Sequence, residues 1–199
     1  MYFKEINHYG DRGLIIDFGI ESSKDISQEI NATIIYLNDL KLPALNTIPS
    51  YNKIVLHFKN TEDKQKSIQT LEIMMKDFRP LDIKRPYKRW NMPTCYEPQY
   101  ALDLERVQKF HDLSIQEIIN LHTKKIYYNY YIGFMPGFPY LGEVSSKLIT
   151  PRLSSPRVRI PARSVGIAKE HTCIYPKVSP GGWNIIAQVP FDIFSLDHS

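Results

Sequence analysis

The chain has 199 residues, of which 43% are hydrophobic and 23% are charged, and its formal net charge is +4 at neutral pH. This composition is typical of a globular protein large enough to bury one large core or two small ones. The basic residues are spread along the chain rather than gathered in a stripe, so we do not expect a nucleic-acid surface.

The cysteines and the N-terminus favour a cytoplasmic protein. Cys95 and Cys173 are the only cysteines, and they lack the Cys-x-x-Cys spacing of a metal site. The first residues lack the charged-then-apolar pattern of a signal peptide, and no apolar run approaches the roughly 20 residues that span a bilayer. We therefore expect reduced thiols, no metal ligand set and no membrane contact.

The first ninety residues alternate between strand and helix patterns. The runs Leu14–Phe18 and Lys53–Phe58 each predict a strand. We expect Asp25 or Ser27 to cap a helix after the first strand, and a loop from Pro43 to Pro49 to follow that helix. Short strands beside helices favour a small α+β sandwich. The apolar faces of the two predicted helices are Ile26, Ile30, Ile34 and Leu37 in the first, and Ile68, Leu71, Met75 and Phe78 in the second.

Prolines and basic residues crowd together between Pro80 and Trp90, after the predicted end of the second helix. We place a domain boundary there, because linkers between domains often have this composition. The prediction is an N-terminal α+β domain of residues 1–84 and a C-terminal domain of residues 85–199.

The C-terminal domain is predicted to open with a strand at Trp90–Tyr96 and two short helices. Asp103 is a possible cap of the first helix, and Ser114 with Glu117 forms a capping box for the second. A further strand is predicted at Ile126–Ile132. Beyond it the helical period is lost, and short apolar runs divided by proline and glycine predict a compact β-barrel.

Two stretches of turn formers and aromatic residues are the best candidates for a functional surface. Residues 133–142 (GFMPGFPYLG) place three glycines among three aromatic residues and two prolines, and the second stretch runs from Pro156-Arg157 through Pro180-Gly181-Gly182-Trp183. Flexible linkers are small and polar, so large side chains here indicate an ordered, aromatic-walled loop with accessible backbone amides. The alternative is a structural cover for the mouth of the barrel.

Together with other motifs, these stretches resemble a known family. The other motifs are Thr150-Pro151-Arg152, Pro156-Arg157, residues 160–167 (IPARSVGI) and Ile174-Tyr175-Pro176, with weaker similarity at residues 10–12 and 48–51. The set resembles the B-type subunits of 5-oxoprolinase (PxpB). This family is also called allophanate hydrolase subunit 1, or the KipI-type kinase inhibitor family. The resemblance covers nearly the whole chain.

The resemblance implies a fold, an activity and partners. The fold is an N-terminal α+β domain followed by a C-terminal cyclophilin-like β-barrel. The activity is the ATP-dependent opening of 5-oxo-L-proline to L-glutamate, which requires the A-type and C-type subunits of 5-oxoprolinase as partners. The second implied function is inhibition of a sensor histidine kinase, and a cyclophilin-like prolyl isomerase ranks below both.

A predicted site follows from the motifs and from the chemistry of their side chains. Arg157 is expected to hold a carboxylate or phosphate through two parallel hydrogen bonds, and Ser164 to donate to the same anion. His122 is a catalytic candidate because the family has a histidine at the matching place; a structural histidine is the alternative. The predicted substrate-binding residues are Phe134, Pro136, Gly137, Phe138, Tyr140, Pro180, Gly181, Gly182 and Trp183.

Several alternatives stay open, and the chain departs from the family pattern in places. Trp183 is either a pocket wall or a plug of the barrel, and surface ion pairing is preferred for Arg152 and Arg159. Where the family usually has glycine this chain has Arg163, and a glycine-rich turn is replaced by residues 96–101. The family's closing strand is expected to be missing after residue 199, which would leave an exposed edge.

Overall fold

A computed structural model describes residues 5–20, 23–77 and 88–196. The chain divides into two compact units, residues 1–88 and 89–199. The boundary predicted between residues 84 and 85 falls outside the described residues and stays a prediction. The same holds for Phe78, Pro80 and the C-terminal residues 197–199.

The first unit is an antiparallel sheet covered by two helices. Its strands follow the order β1-β2-β4-β3. Burial alternates along β4, which turns Ile54, Leu56 and Phe58 toward the helices. The elements are β1 Glu5–Tyr9, β2 Gly13–Asp17, α1 Lys24–Asp39, β3 Ala44–Pro49, β4 Lys53–Phe58 and α2 Thr61–Asp77. The predicted strands and both helices of this half are confirmed.

Two local predictions in the first unit are wrong. Ser23, not Asp25 or Ser27, is the N-cap of α1: its extended backbone precedes the helix and its hydroxyl accepts from the amide of Ile26. The loop expected from Pro43 to Pro49 is instead mostly the edge strand β3. An edge strand tolerates a proline at its end because one of its sides needs no donor.

The second unit combines two short helices with two antiparallel sheets. Strands β11, β8, β9, β6 and β5 form one sheet in that order, and β10 pairs with β7 in the other. The elements are α3 Leu104–His111, α4 Ile115–Thr123, β5 Tyr128–Ile132, β6 Pro139–Gly142, a 3-10 turn Ser146–Leu148, β7 Arg157–Ile160, β8 Ser164–Ala168, β9 His171–Ile174, β10 Ser179–Gly181 and β11 Asn184–Gln188. The α+β class is therefore confirmed, whereas the two-domain division and the cyclophilin-like barrel stay predictions.

The five-stranded sheet separates two apolar cores. On one face, Ile167 and Ile174 pack with residues of helices α3 and α4. On the other face, Cys173 packs with Phe138 and Trp183 from the two Gly/Pro stretches. Because side chains alternate along a strand, neighbouring residues of β9 belong to different cores.

Local sequence patterns predict some features of the second unit correctly and others not. Ser114 and Glu117 form the predicted capping box, with the Ser114 hydroxyl and the Glu117 amide 3.2 Å apart. Asp103 lies at the N-cap position of α3 but makes no side-chain cap bond there. The strand predicted at Trp90–Tyr96 is wrong: only Cys95 pairs, in an isolated bridge to Gln188.

Arg163 lies in the left-handed region of backbone space, with φ = 69°. This conformation closes the turn between β7 and β8, where the Arg163 amide donates to the carbonyl of Tyr175 and its own carbonyl accepts from Val189. Its side chain makes only peripheral contacts, a 3.3 Å hydrogen bond to the Pro190 carbonyl and a 3.8 Å ion pair with exposed Asp192. The departure from glycine noted in the sequence therefore falls on a position that favours glycine.

Replacing Arg163 with glycine is expected to raise the free energy of unfolding of the second unit by about 0.5–1 kcal/mol. Glycine relieves the left-handed backbone strain of the folded state. This gain exceeds two costs, which are the loss of exposed side-chain contacts and the greater conformational freedom of glycine in the unfolded chain. Urea unfolding followed by tryptophan fluorescence measures this, since Trp90 and Trp183 both lie in the second unit. Arg163→Ala is the control, because it removes the same contacts but keeps the strain. Equal stability of the glycine and alanine variants would contradict the interpretation.

Candidate functional site

The two Gly/Pro stretches meet at one aromatic cluster, defined here as Phe138, Tyr140, Tyr175 and Trp183. Phe138 is its centre: its ring centroid lies 5.0 Å from Tyr140, 5.0 Å from Tyr175 and 6.1 Å from Trp183. Only 1% of Phe138 is exposed. The two stretches therefore meet in the fold, and the centre of their contact is a packed wall of rings.

The loop of residues 133–138 is an ordered hairpin connection between β5 and β6. The Gly133 amide donates to the Phe138 carbonyl at 3.1 Å, and the Phe138 amide donates to the Met135 carbonyl at 3.1 Å. Gly137 has φ = 78°, and a Cβ there would lie 2.5 Å from the side chain of Phe194. Only glycine fits at that point, so the loop is held against the end of the second unit.

Phe134 stands apart from the cluster at the tip of this loop. It is 61% exposed and has φ = 66°, a costly conformation for a bulky residue. Its ring touches the cluster only through Phe138, with 5.3 Å between centroids. A strained, exposed aromatic side chain of this kind is typical of a functional surface rather than of a core.

Gly181 allows the Tyr175 hydroxyl to lie against the backbone. A Cβ at Gly181 would lie 2.4 Å from the Tyr175 oxygen and 2.7 Å from Ile160. Burial raises the pKa of that hydroxyl, and the Trp183 backbone opposes the rise. The chain turns a corner at residues 180–183, and the Tyr175 hydroxyl packs against the backbone of that corner.

Arg152 lies beside this corner with its guanidinium exposed. A Cβ added to Gly182 would be 3.5 Å from both Nε and Nη2 of Arg152. The surface ion pair preferred for Arg152 in the sequence is not found: among residues 5–20, 23–77 and 88–196 its guanidinium has no hydrogen bond or ion pair.

Arg157 uses its two-pronged donor set inside the protein. Its Nη1 and Nη2 donate to the two carboxylate oxygens of Asp103 at 2.8 and 2.6 Å. The same Asp103, 4% exposed, accepts from the Ile185 amide at 2.7 Å. The pair ties β7 to α3 and β11, so the guanidinium predicted to hold the substrate anion is already engaged. The substrate role of Arg157 stays a prediction that this geometry does not favour.

His122 lies on the other face of the five-stranded sheet, away from the cluster. Its Nδ1 lies 2.6 Å from the Tyr96 hydroxyl and its Nε2 lies 3.1 Å from Thr172 Oγ1. Because Thr172 donates its own proton to the Gly166 carbonyl, Nε2 must donate to Thr172 and Nδ1 accepts from Tyr96. The contacts agree with the structural alternative for His122, and its catalytic role stays untested.

Ser164 is also interior, with 1% of its surface exposed at the start of β8. Its carbonyl accepts from the Tyr175 amide at 2.9 Å. Strand alternation places it on the same face as Gly166 and Ala168, which is the cluster's face. The structure therefore brings together Phe138, Tyr140, Gly181, Gly182 and Trp183, but neither His122 nor the fork of Arg157.

The sequence matches the carboxyltransferase-domain model, subdomain C and D, over residues 4–199. It is 34% identical to the B-type subunit of 5-oxoprolinase from Bacillus subtilis over 96% of this chain and 84% of the relative. The Haemophilus influenzae protein of the same name is 35% identical over 78% of this chain and 69% of the relative. The chain belongs to the family of 5-oxoprolinase B-type subunits.

Solved structures share the fold of this chain. The crystal structure of TTHA0988 superposes with a TM-score of 0.76 and 31% identity, over 92% of this chain and 35% of that one. The chain thus spans about a third of that longer polypeptide. The Kluyveromyces lactis urea amidolyase aligns over 92% of this chain and 13% of its own at 16% identity, with a TM-score of 0.69, which shows a shared fold alone.

Two structural features beside the aromatic cluster of this 5-oxoprolinase family member escape prediction from the sequence. No local pattern gives Tyr175 a role, and the surroundings of Arg152 predict only a surface residue. The Ile174-Tyr175-Pro176 motif is a usable signal for Tyr175, since a buried tyrosine needs a partner for its hydroxyl. The position of Arg152 beside Gly182 joins residues far apart in the sequence, so no local pattern predicts it.

Neither a metal centre nor a membrane-spanning helix occurs in the same described ranges. No group of three or more His, Cys, Asp or Glu side chains is placed there to hold a metal ion. No helix among these residues is long and apolar enough to cross a membrane.

Arg157→Ala is expected to destabilise the second unit by about 3 kcal/mol, because it leaves the buried Asp103 carboxylate without its counter-charge. Urea unfolding followed by tryptophan fluorescence measures the loss. Arg159→Ala is the matched control, because this arginine is exposed on the same strand, and its change should stay within about 0.5 kcal/mol. Similar effects of the two substitutions would contradict the structural role of Arg157.

Burial lowers the pKa of His122 to about 4 from an ordinary value of 6.5. Between these two pH values the unfolded chain binds more protons than the folded one, so stability falls as the pH drops through this window. The expected loss is about 3 kcal/mol between pH 7 and pH 4. His122→Gln keeps hydrogen-bonding groups without titrating, so the loss should shrink by about 2 kcal/mol or more.

Two comparisons complete this test. His8→Gln, an exposed substitution in the first unit, should leave the fluorescence-detected acid dependence of the second unit as it is in the wild type. If the stability of His122→Gln falls between pH 7 and pH 4 as much as that of the wild type, the buried histidine does not cause the loss.

Proposed function

We propose that this chain is the B-type subunit of an ATP-dependent 5-oxoprolinase, which converts 5-oxo-L-proline to L-glutamate together with the A-type and C-type subunits. The observation that carries the proposal is the match to the Bacillus subtilis protein of that name at 34% identity over 96% of the chain. That span includes both Gly/Pro stretches, which converge on the aromatic cluster in the fold.

The reaction explains why ATP is needed. A five-membered lactam is a stable amide, so water opens it slowly. Transfer of the γ-phosphoryl group of ATP to the carbonyl oxygen releases ADP and makes the ring carbon a better electrophile. Water then adds to that carbon, the carbon–nitrogen bond breaks as nitrogen takes a proton, and a second water displaces phosphate to leave glutamate.

The chain supplies part of a site for this reaction. The rings of Phe138, Tyr140 and Trp183 form an apolar wall that can exclude water from a small substrate, which strengthens polar contacts beside it. The Tyr175 hydroxyl and the backbone at Gly182 lie at the edge of that wall. No Walker A sequence occurs in the chain, so the proposal assigns the ATP phosphates no phosphate-binding loop here.

The incomplete set of groups favours a site shared between polypeptides. Within the described ranges, the histidine predicted as catalytic is interior and on the far face of the sheet. Phe134, exposed and strained beside the cluster, is suited to contact with another polypeptide. We therefore infer that the A-type and C-type subunits supply the remaining groups. The unpaired Cys95 and Cys173 agree with a cytoplasmic reaction.

Histidine kinase inhibition stays a prediction, and neither relative's name supports it. Prolyl isomerase activity likewise rests on fold analogy alone.

Reconstitution tests the proposal. The chain is mixed with its cognate A-type and C-type subunits, and glutamate release from 5-oxo-L-proline is measured with and without ATP. Release is expected only in the complete mixture with ATP, and omission of this chain should reduce it to background. Autophosphorylation of candidate histidine kinases is measured in parallel with the same preparation. Glutamate release that does not depend on this chain, or kinase inhibition alone, would contradict the proposal.

A further inference from the structure

We propose that Arg152 binds the carboxylate of the substrate, with the Tyr175 hydroxyl and the aromatic cluster beside it. The inference rests on the proposed function, because that function supplies a small planar ring carrying one carboxylate. It moves the anion-binding role from Arg157, which is paired with Asp103, to an arginine whose sequence context predicts only a surface position.

The backbone of Arg152 is fixed on both sides. The Leu153 amide donates to the Gly182 carbonyl at 2.8 Å. On the other side, the Asn184 side-chain amide donates to the Pro151 carbonyl at 3.0 Å, and Asn184 is fully buried. These bonds tie the backbone on both sides of Arg152 to the residues around Trp183, and neither uses a donor of the guanidinium.

The guanidinium of Arg152 is available for a ligand. Across the described ranges of the chain it makes no hydrogen bond or ion pair, whereas the guanidinium of Arg157 is held on both carboxylate oxygens of Asp103. Arg152 is also exposed. An arginine presents five N–H donors in a planar fork, which matches the two oxygens of a carboxylate.

The surroundings of Arg152 suit a small ring acid. A Cβ added at Gly182 would lie 3.5 Å from both Nε and Nη2, so the Gly182 backbone passes close to the guanidinium. Burial raises the pKa values of Tyr175 and Tyr140, and the positive charge of Arg152 opposes both rises. Tyr140 is itself braced by Tyr131, stacked on it at 4.4 Å.

These features divide the recognition between charge and shape. The carboxylate accepts hydrogen bonds from the fork of Arg152 and from a tyrosine hydroxyl, and both bonds are charge-assisted because the acceptor is an anion. The flat lactam ring lies against the rings of Tyr140 and Trp183. A phosphate could also occupy the same fork, so the test must separate the two anions.

Kinetics of the reconstituted complex give the first arm of the test. In Arg152→Ala, the KM for 5-oxo-L-proline is expected to rise about 10- to 100-fold, as for loss of a charge-assisted hydrogen bond, while the KM for ATP stays unchanged. Arg152→Lys should recover part of the affinity, because it restores the charge without the planar fork. Arg159→Ala, another exposed arginine, is the matched control and should leave both KM values unchanged.

An unchanged KM for 5-oxo-L-proline in Arg152→Ala would overturn the inference while leaving the proposed function intact. A rise confined to the KM for ATP would also overturn it, in favour of phosphate binding. A tryptophan fluorescence check on each variant's unfolding keeps misfolding from being taken for lost binding.

Direct binding gives the second arm and does not depend on turnover. The complex with the A-type and C-type subunits is titrated with 5-oxo-L-proline and with 2-pyrrolidinone, the same lactam without its carboxylate. The wild type is expected to prefer 5-oxo-L-proline at least tenfold, and Arg152→Ala to lose that preference. If the preference is present and Arg152-dependent but no glutamate forms, the proposed function fails and the binding site stands. If no preference exists, the Arg152 inference fails.

Discussion

Strand β11 is the constraint on which the second unit depends, because side chains far apart in sequence hydrogen-bond to its backbone or extend from it. The Asp103 carboxylate accepts from the Ile185 amide, and Asp103 in turn receives the fork of Arg157. Asn184, at the first position of the strand, reaches the carbonyls of Pro151 and Ile167 at 3.0 and 3.1 Å. A buried amide or carboxylate left without these partners would cost free energy, so the contacts form together or not at all.

The same arrangement decides which arginine is free to meet a substrate. Arg157 neutralises a buried carboxylate, and its charge is used to hold β7 on α3 and β11. Arg152 is carried between two backbone hydrogen bonds and presents its charge to solvent beside the aromatic cluster. The arginine proposed to bind substrate, Arg152, thus lies five positions before the structural arginine, Arg157. The two differ in that Arg157 is paired with the buried carboxylate of Asp103.

Patterns contained within a few residues were predictable from the sequence. The capping box of Ser114 and Glu117 needs only a three-residue spacing, and the strand Lys53–Phe58 needs only alternation. The Asp103–Arg157 pair joins residues 54 positions apart, and the Asp103–Ile185 bond joins residues 82 apart. Nothing local identifies such pairs, so the sequence alone did not show which charged group would stay free beside the Gly/Pro stretches.

Binding of the substrate as proposed requires corners that are rigid before any substrate or partner arrives. Amide hydrogen exchange of the isolated chain, read residue by residue by NMR, tests this most directly at Leu153, whose amide donates to the Gly182 carbonyl next to Arg152. If the corners are rigid, Leu153 exchanges as slowly as Tyr175, whose amide is bonded to Ser164 between two strands. Exchange of Leu153 at the rate of an exposed loop amide would contradict a preformed site.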